Sequence, residues 1–195
     1  RSHHMKIVAI LGSPRKNGNS TTLATIIADD LVNKGGTVIT HCLNDLSYRG
    51  CQACGACKTT SEKCVLKDDL APVLEDVRHA DVLILATPVY WGEVTAQMKG
   101  FIDRFYSFLT PDFMTEPIKH RLATGKNLVF IQAQGAQEEQ LFTDIFPRYN
   151  SFFTQLNLFE KTYFFRACGV NNRKDAATRS DLLDRAKEIA AQLST

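Results

Sequence analysis

The chain has 195 residues, of which 44% are apolar and 23% are charged, and its formal net charge is +2. These values are typical of one globular domain, and no apolar stretch approaches the roughly 18–20 residues of a membrane helix. The small net charge and the lack of a long basic tract argue against a nucleic-acid partner. Residues 1–4 resemble an expression-tag remnant before Met5, so we expect a single domain over residues 5–195.

Apolar runs alternate with helical patterns along the chain. In chain order, the patterns predict strands over 7–11, 37–42, 82–86, 127–133 and 161–168. Helices are predicted from about 23 to the glycines at 35–36, from an Asp68-Asp69 cap to 79, and over 94–108, 141–156 and 178–193. Pro147 should kink or restart the fourth helix. Segments 43–67 and 110–125 are predicted to be irregular loops.

Strands that alternate with helices predict a parallel sheet covered by helices on both faces. In such sheets, ligands lie outside the carboxyl ends of the strands. Three predicted loops leave that edge, over 12–22, 87–93 and 133–139. We therefore expect the functional site to be built from these three loops.

The first loop, 12–22, connects a buried strand to a helix N-terminus, which is a ready anion site. Its spacing is neither a Walker A sequence nor G-x-G-x-x-G. The groups that it offers are Ser13, Arg15, Lys16, Asn17, Gly18, Asn19, Ser20 and Thr21. This set suits a terminal phosphomonoester. The alternative is a plain polar turn in which Ser20 caps the helix.

The other two loops offer surfaces for a flat ring. The second contains Pro88, Val89, Tyr90, Trp91 and Gly92, and the third contains Gln134, Gly135 and Gln137. Adjacent aromatic residues at a ligand edge suit the flank of a ring system, and glycine allows close backbone approach. The alternative is that the two aromatic side chains pack in a subunit interface.

Four of the six cysteines, Cys51, Cys54, Cys57 and Cys64, crowd into the predicted loop over 43–67. The Cys-x2-Cys-x2-Cys spacing is typical of [4Fe–4S] ligation, and Cys64 would complete the set. Structural zinc is less favoured, because it usually takes two separated knuckles. A metal-free loop and redox-labile thiols stay open as alternatives. Cys42 and Cys168 are expected to be buried small apolar side chains.

The sequence resembles the flavodoxin-like NAD(P)H-dependent FMN reductase family, and within it the iron–sulfur flavoprotein branch. The resemblance rests on the cysteine spacing and on three further segments: Gly-Ser-Pro-Arg-x-x-Gly-Asn-Ser at 12–20, Pro-Val-Tyr-Trp-Gly at 88–92 and Gln-Met-Lys-Gly-Phe-Ile-Asp-Arg at 97–104. It implies an α/β three-layer sandwich with five parallel strands in the order 2-1-3-4-5. It also implies FMN, with its phosphate in the first loop and its isoalloxazine against the second and third.

The resemblance further implies an oxidoreductase that takes hydride from NAD(P)H at the flavin N5 atom and passes electrons to a flavin, quinone or other small acceptor. No side chain is then expected to be catalytic. The alternative is an electron carrier in which a [4Fe–4S] cluster on the four cysteines feeds FMN from ferredoxin. A regulatory flavin-binding protein ranks last.

A homodimer or homotetramer is also expected. The family implies one, and the phenylalanine-rich segment 142–165 is too apolar to be surface alone. The Lys99–Asp103 pair, at i,i+4 spacing, is expected to support its helix rather than take part in chemistry. No secretory signal is recognised, so we expect a cytoplasmic protein whose thiols stay reduced.

Overall fold

The computed structural model describes residues 4–194, so residues 1–3 of the predicted tag remnant lie outside the described range. Five parallel strands form one sheet: β1 Lys6–Leu11, β2 Thr37–Cys42, β3 Val82–Pro88, β4 Asn127–Ala133 and β5 Lys161–Ala167. Their order is β2-β1-β3-β4-β5, which confirms the flavodoxin-like topology.

The described helices are α1 Asn19–Asn33, α2 Ala56–Thr59, α3 Leu70–His79, α4 Ala96–Asp103, α5 Ile145–Gln155, α6 Asp175–Thr178 and α7 Ser180–Leu193. Two 3-10 helices cover Leu43–Asp45 and Arg104–Phe108. Within residues 4–194, no helix has the length and apolar character needed to cross a membrane.

The core has two layers because β1 is apolar on both faces. Ile7, Ala9 and Leu11 pack in one layer with α1, α6 and α7. Val8 and Ile10 pack in the other layer with α3, α4 and α5. A continuous apolar run is what a strand buried on both faces requires. The sheet is therefore the middle layer of the predicted three-layer sandwich.

Most predicted boundaries agree with the structure, and two of them have clear local causes. Gly35 ends α1 with φ +96°, and the Gly36 N–H donates to the Leu31 carbonyl at 3.0 Å. This is a Schellman arrangement, and it confirms the predicted end of the helix at the glycine pair. Pro147 restarts rather than kinks its helix, because α5 begins at Ile145 and places Pro147 in the first turn.

Three further expectations were wrong in detail. The segment 43–67 is not wholly irregular, since it contains α2 and a short 3-10 helix. The predicted Asp68-Asp69 cap is half right: the Asp68 carboxylate accepts a hydrogen bond from the Leu70 N–H at 3.2 Å at the start of α3, whereas the Asp69 carboxylate accepts from the Ser47 N–H at 2.7 Å. Cys42 and Cys168 are half-buried rather than buried. Burial nevertheless raises the pKa of the Cys42 thiol.

Candidate functional site

The three predicted loops meet at the carboxyl edge of the sheet around a cavity of about 250 Å³. Its walls are Ser13, Arg15, Gly18, Asn19, Ser20, Pro88, Val89, Tyr90, Ala133, Gly135, Val170, Asn171 and Arg173. The last three residues follow β5 and form a fourth wall that the sequence interpretation missed. We call this space the phosphate pocket.

The N-terminus of α1 opens directly into the phosphate pocket. Gly18 is the N-cap residue and offers no side-chain cap, and the first intrahelical bond runs from the Thr22 N–H to the Gly18 carbonyl at 2.9 Å. The N–H groups of residues 19–21 therefore precede that bond and lack intrahelical acceptors. Ser20 is the second residue of α1 rather than its cap, so the plain-turn alternative was wrong on this point.

The side chains of the first loop complete an anion cradle. Ser20 is only 1% exposed and lines the pocket, yet its hydroxyl has no hydrogen-bond partner among residues 4–194. A Cβ on Gly18 would lie 2.8 Å from the Ser13 Oγ atom, so only glycine fits there without a shift. A buried, unpartnered hydroxyl beside open N–H groups is a donor set that fits a phosphate.

Two arginines give the phosphate pocket a positive charge. Arg15 comes from the first loop and Arg173 from the segment after β5, and both line the pocket. Both side chains are exposed, and within the described range neither is in an ion pair. Among the described residues, no acidic side chain lines the pocket. The charges are therefore available to an anion.

The second loop is a tight hairpin that separates the two adjacent aromatic residues. The Tyr90 N–H donates to the Glu93 carbonyl at 2.9 Å, and the Glu93 N–H returns a bond of 3.1 Å. Trp91 and Gly92 both have positive φ, at +52° and +78°, which defines a type I′ turn. Tyr90 borders the phosphate pocket, whereas the Trp91 side chain is fully exposed.

Thr95 joins the first and second loops to α4. Its hydroxyl donates to the Gly12 carbonyl at 2.8 Å and accepts from the Met98 N–H at 3.2 Å, which caps α4. Its own N–H donates to the Thr87 Oγ1 atom at 3.1 Å. Because these groups are buried, their hydrogen bonds fix the relative position of the two loops.

The third loop is held in place by a buried side chain, Gln134. Gln134 is 1% exposed, and its Oε1 atom accepts from Arg166 Nε at 3.0 Å, so its amide is directed away from the phosphate pocket. Gln137 is exposed and packs beside Gly169, where a Cβ would lie 3.1 Å from its Cγ atom. Gly135 alone of the three predicted residues lines the pocket.

The structure thus brings together a part of the predicted set. The residues at the phosphate pocket are Ser13, Arg15, Gly18, Asn19, Ser20, Pro88, Val89, Tyr90 and Gly135. The predicted residues outside its walls are Asn17, Thr21, Trp91, Gly92, Gln134 and Gln137. The sequence carried one signal for the fourth wall, because a polar run over 171–175 follows three residues after the carboxyl end of β5.

The four clustered cysteines line a second, small cavity of about 20 Å³, which we call the cysteine cavity. Cys57 is buried, Cys64 is half-buried, and Cys51 and Cys54 are exposed, all as free thiols. Among residues 4–194, no three such ligands are grouped tightly enough for one metal ion. A [4Fe–4S] cluster spreads its cysteines over separate irons, so a shared cavity is the more relevant geometry.

Cations surround the cysteine cavity. Arg104 is 1% exposed, lines the cavity, and donates from Nη1 to Asp68 at 2.8 Å and to the Arg49 carbonyl at 2.9 Å. Its Nε atom is buried without a partner. Lys58 Nζ lies 3.7 Å from the Cys57 Sγ atom, and Arg121 donates to the Cys57 carbonyl at 3.1 Å.

The pKa values of two of these cations shift in opposite directions. Burial lowers the pKa of Lys58, and the Arg121 cation lowers it further, although the Cys57 thiol opposes both. Burial also acts against the charge of Arg104, but hydrogen bonding to Asp68 and the neighbouring Cys64 thiol raise its pKa overall. Thiols among one buried and two half-buried cations, with one buried N–H donor that has no partner, fit an anionic cluster.

A parallel sheet in the order 2-1-3-4-5, with a phosphate-type pocket at the first helix, defines a flavodoxin-like α/β protein. Residues 5–144 match the model of the NADPH-dependent FMN reductase family, and the chain belongs to that family.

Similarity to individual proteins agrees with this assignment. An iron-sulfur flavoprotein of Archaeoglobus fulgidus is 41% identical over 104 residues, which make up 53% of this chain and 47% of that protein. The chain spans about half the length of the curated relatives it matches.

Solved structures share the fold. A NAD(P)H:quinone oxidoreductase from Methanothermobacter marburgensis aligns with a TM-score of 0.75 at 19% identity, over 99% of this chain and 98% of that one. An FMN-dependent NADH-azoreductase from Bacillus anthracis, in complex with FMN, gives 0.73 at 15% identity, over 97% and 100%. At these identities the likeness establishes the fold alone.

Proposed function

We propose that this protein is an FMN-dependent oxidoreductase that takes hydride from NAD(P)H and passes electrons to a flavin, quinone or other small acceptor. The observation that carries the proposal is the buried, unpartnered Ser20 hydroxyl among open N–H groups of α1. Membership in the NADPH-dependent FMN reductase family supports the same cofactor and donor.

The chain's own contribution is binding and orientation. In this proposal Ser13, Ser20 and the first turn of α1 hold the phosphate, and Arg15 balances its charge. Tyr90 and the hairpin that carries it border the ring, and Gly135 allows close approach of the third loop. When bound in this pocket, FMN would supply the chemistry of hydride acceptance and of electron transfer to an acceptor. That step needs no side-chain acid or base, so we assign no catalytic residue.

An anaerobic titration tests the hydride step. The protein is loaded with FMN and titrated with NADH and, separately, with NADPH. We expect the flavin absorbance to bleach with at least one donor and to return when a quinone or free flavin is added. Failure of both donors to bleach the flavin would overturn the proposed reaction.

A matched pair of serine variants tests the binding site. Ser20→Ala removes the buried hydroxyl at the phosphate pocket, whereas Ser151→Ala removes an exposed hydroxyl on α5. A hydrogen bond to a charged group is worth about 1.5–3 kcal/mol, so we expect Ser20→Ala to weaken FMN binding about tenfold or more. Ser151→Ala should bind FMN as the wild type does.

The second candidate function is an electron carrier in which a [4Fe–4S] cluster on Cys51, Cys54, Cys57 and Cys64 feeds FMN from ferredoxin. The shared cavity of the four thiols and the cations around it favour this candidate. The similarity to an iron-sulfur flavoprotein agrees with it. A cluster of this type, when bound, carries one electron at a time.

Anaerobic purification separates the two candidates. The electron carrier should contain about four irons and four sulfides per chain, as expected of one such cluster. It should also be reduced by ferredoxin and not by NAD(P)H. Cys54→Ser should lose the iron, whereas Cys168→Ser, outside the cysteine cavity, should keep it. Flavin absorbance alone, without iron, would exclude the carrier.

We further infer a cytoplasmic homodimer or homotetramer. The free thiols suit a reducing compartment. Trp91 and Phe152 are 104% and 63% exposed, which is unusual for large apolar side chains unless a neighbour covers them. An apolar groove of about 500 Å³ also runs between α4 and α5. Light scattering tests this inference, and a monomer would contradict it.

A further inference from the structure

The segment over residues 168–174, which connects β5 to α6, closes one side of the phosphate pocket. We call it the β5–α6 arm. It lies outside the residues that the family model matches. It nevertheless supplies Val170, Asn171 and Arg173 to the pocket wall. The role of the arm and of its charge must therefore be inferred from the contacts that it makes in this chain.

Asn19 holds the β5–α6 arm against the first turn of α1. Its Nδ2 atom donates to the Val170 carbonyl at 3.1 Å and to the Asn172 carbonyl at 2.8 Å. Its Oδ1 atom accepts from the Ala176 N–H at 3.0 Å. Both ends of the amide are thus bonded to the arm and the following helix, which leaves only the Asn19 backbone N–H for a ligand.

A second contact fixes the arm to the third loop. Asn171 donates from Nδ2 to the Gly135 carbonyl at 2.9 Å. A Cβ on Gly135 would lie 2.2 Å from the Asn171 Oδ1 atom, so the two segments touch closely. The arm is therefore pinned on both sides of Arg173.

Arg173 and Arg15 both line the phosphate pocket, although they come from different parts of the chain. Neither side chain is in an ion pair within residues 4–194. A phosphomonoester carries a charge of about −1.5 to −2 at pH 7, because its second pKa is about 6. One cation from the first loop balances about half of that charge, and the second comes from the arm.

We propose that Arg173 is a phosphate-binding residue, positioned by Asn19, which makes the pocket select a flavin ending in a phosphomonoester over the same flavin without phosphate. The inference rests on the proposed FMN site and does not depend on which reaction the flavin performs. Riboflavin has the ring and the ribityl chain but no phosphate, so it is the matched probe.

Equilibrium dialysis of the flavin-free 195-residue chain tests the assignment. We expect Arg173→Gln to weaken FMN binding about tenfold, as loss of one charge-assisted contact does, and to leave riboflavin binding unchanged. Lys174→Gln is the control, because it removes an adjacent exposed cation that does not line the pocket. Its FMN and riboflavin affinities should equal those of the wild type.

The outcomes separate the inference from the proposed function. A wild type that binds FMN no better than riboflavin would overturn both. A wild type that prefers FMN, combined with an Arg173→Gln variant that keeps the whole preference, would overturn the inference alone. Equal weakening of both flavins would show a structural effect and would also overturn it.

Two further readouts distinguish charge recognition from structure. Wild-type affinity for FMN should rise between pH 5 and pH 7 as the phosphate gains its second charge, and Arg173→Gln should flatten that rise. Asn19→Ala should also weaken FMN binding. In the Arg173→Gln background, Asn19→Ala should weaken FMN binding little further, because both changes remove the same contact. Additive losses would overturn the positioning role of Asn19.

Discussion

The phosphate pocket and the cysteine cavity are built in opposite ways. The first-loop side of the phosphate pocket uses backbone groups, one helix N-terminus and glycines, and the distant β5–α6 arm adds Arg173 to it. The second is a loop with one four-residue helix, held to the fold by buried or half-buried cations that donate to carbonyl groups. The anion cradle of the first loop is therefore a property of local geometry, whereas the cysteine cavity depends on long-range tethers.

The largest expected effect removes one such tether. Arg104→Met removes the cation that pairs with the half-buried Asp68 carboxylate and that donates to the Arg49 carbonyl, and leaves Asp68 only its backbone N–H donors. Breaking a buried ion pair costs about 3–5 kcal/mol, so we expect a loss of unfolding free energy of that size. Urea unfolding measures the loss, and hydrogen exchange should show faster opening of residues 49–66 than in the wild type. Unchanged hydrogen exchange of residues 49–66 would contradict the dependence of the cysteine cavity on long-range tethers.

The next effect concerns a buried cation at the amino edge of the sheet, far from both sites. Burial lowers the pKa of Lys126 to about 8, below the value of about 10.4 in an unfolded chain. Between these values the unfolded state binds more protons, so stability rises with pH. Relative to Lys126→Met, the wild type should gain about 2 kcal/mol between pH 8 and pH 10. Parallel curves of unfolding free energy against pH for the wild type and Lys126→Met would contradict this expectation.

At higher pH, stability is expected to fall with pH instead of rising, because of two tyrosines. Burial raises the pKa of Tyr48 to about 12, and it raises the pKa of Tyr149 as well. Above about pH 10 the unfolded chain loses these protons while the folded chain keeps them, so stability falls. Lys126→Met should share this fall, which makes it an internal control for the lysine effect.

A smaller effect tests the geometry of the phosphate pocket. Gly18→Ala places a Cβ 2.8 Å from the Ser13 Oγ atom and 3.3 Å from the Arg15 carbonyl, so the loop must shift. We expect FMN binding to weaken by about 1–2 kcal/mol, or roughly tenfold, with iron content unchanged. Gly100→Ala is the control, since its Cβ meets only ordinary contacts at 3.5 Å or more. Equal losses in both variants would refute the local origin of the pocket.

These contrasts explain how much the sequence could predict. The sheet order came from a family resemblance, and the alternation of apolar runs with helical patterns independently predicted a parallel sheet. The phosphate loop was predictable because a buried strand, small polar residues and a helix start lie next to each other in the chain. Backbone geometry of that kind follows from local sequence.

The tethers could not be predicted in the same way. Arg104 and Asp68 are 36 positions apart, and no local pattern marks them as partners. Gln134 was expected to bind the flavin, but an amide in a polar loop has equal reason to turn inward, and here Arg166 holds it there. Arg173 was missed because it lies in a polar turn after the last strand, which resembles an ordinary chain reversal in the sequence. Only the structure shows that Asn19 binds this turn through the Asn172 carbonyl.

The smallest expected effect on stability concerns Trp91. Its φ of +52° lies in the left-handed region, where a bulky residue is strained and glycine is not. Trp91→Gly should therefore keep or raise the unfolding free energy, by up to about 1 kcal/mol. A marked loss of stability would show that Trp91 supports the fold of one chain. An unchanged fold with weaker self-association would instead assign it to the interface.

Trp91 is also the only tryptophan in the chain. Its intrinsic fluorescence therefore reports on a single place, the tip of the hairpin between the phosphate pocket and solvent. A fully exposed indole emits at long wavelength, and covering it by a second protomer would shift the emission to the blue. Energy transfer to a bound flavin would quench it. The protein thus carries its own optical probe, with which assembly and cofactor loading can be followed separately and without a label.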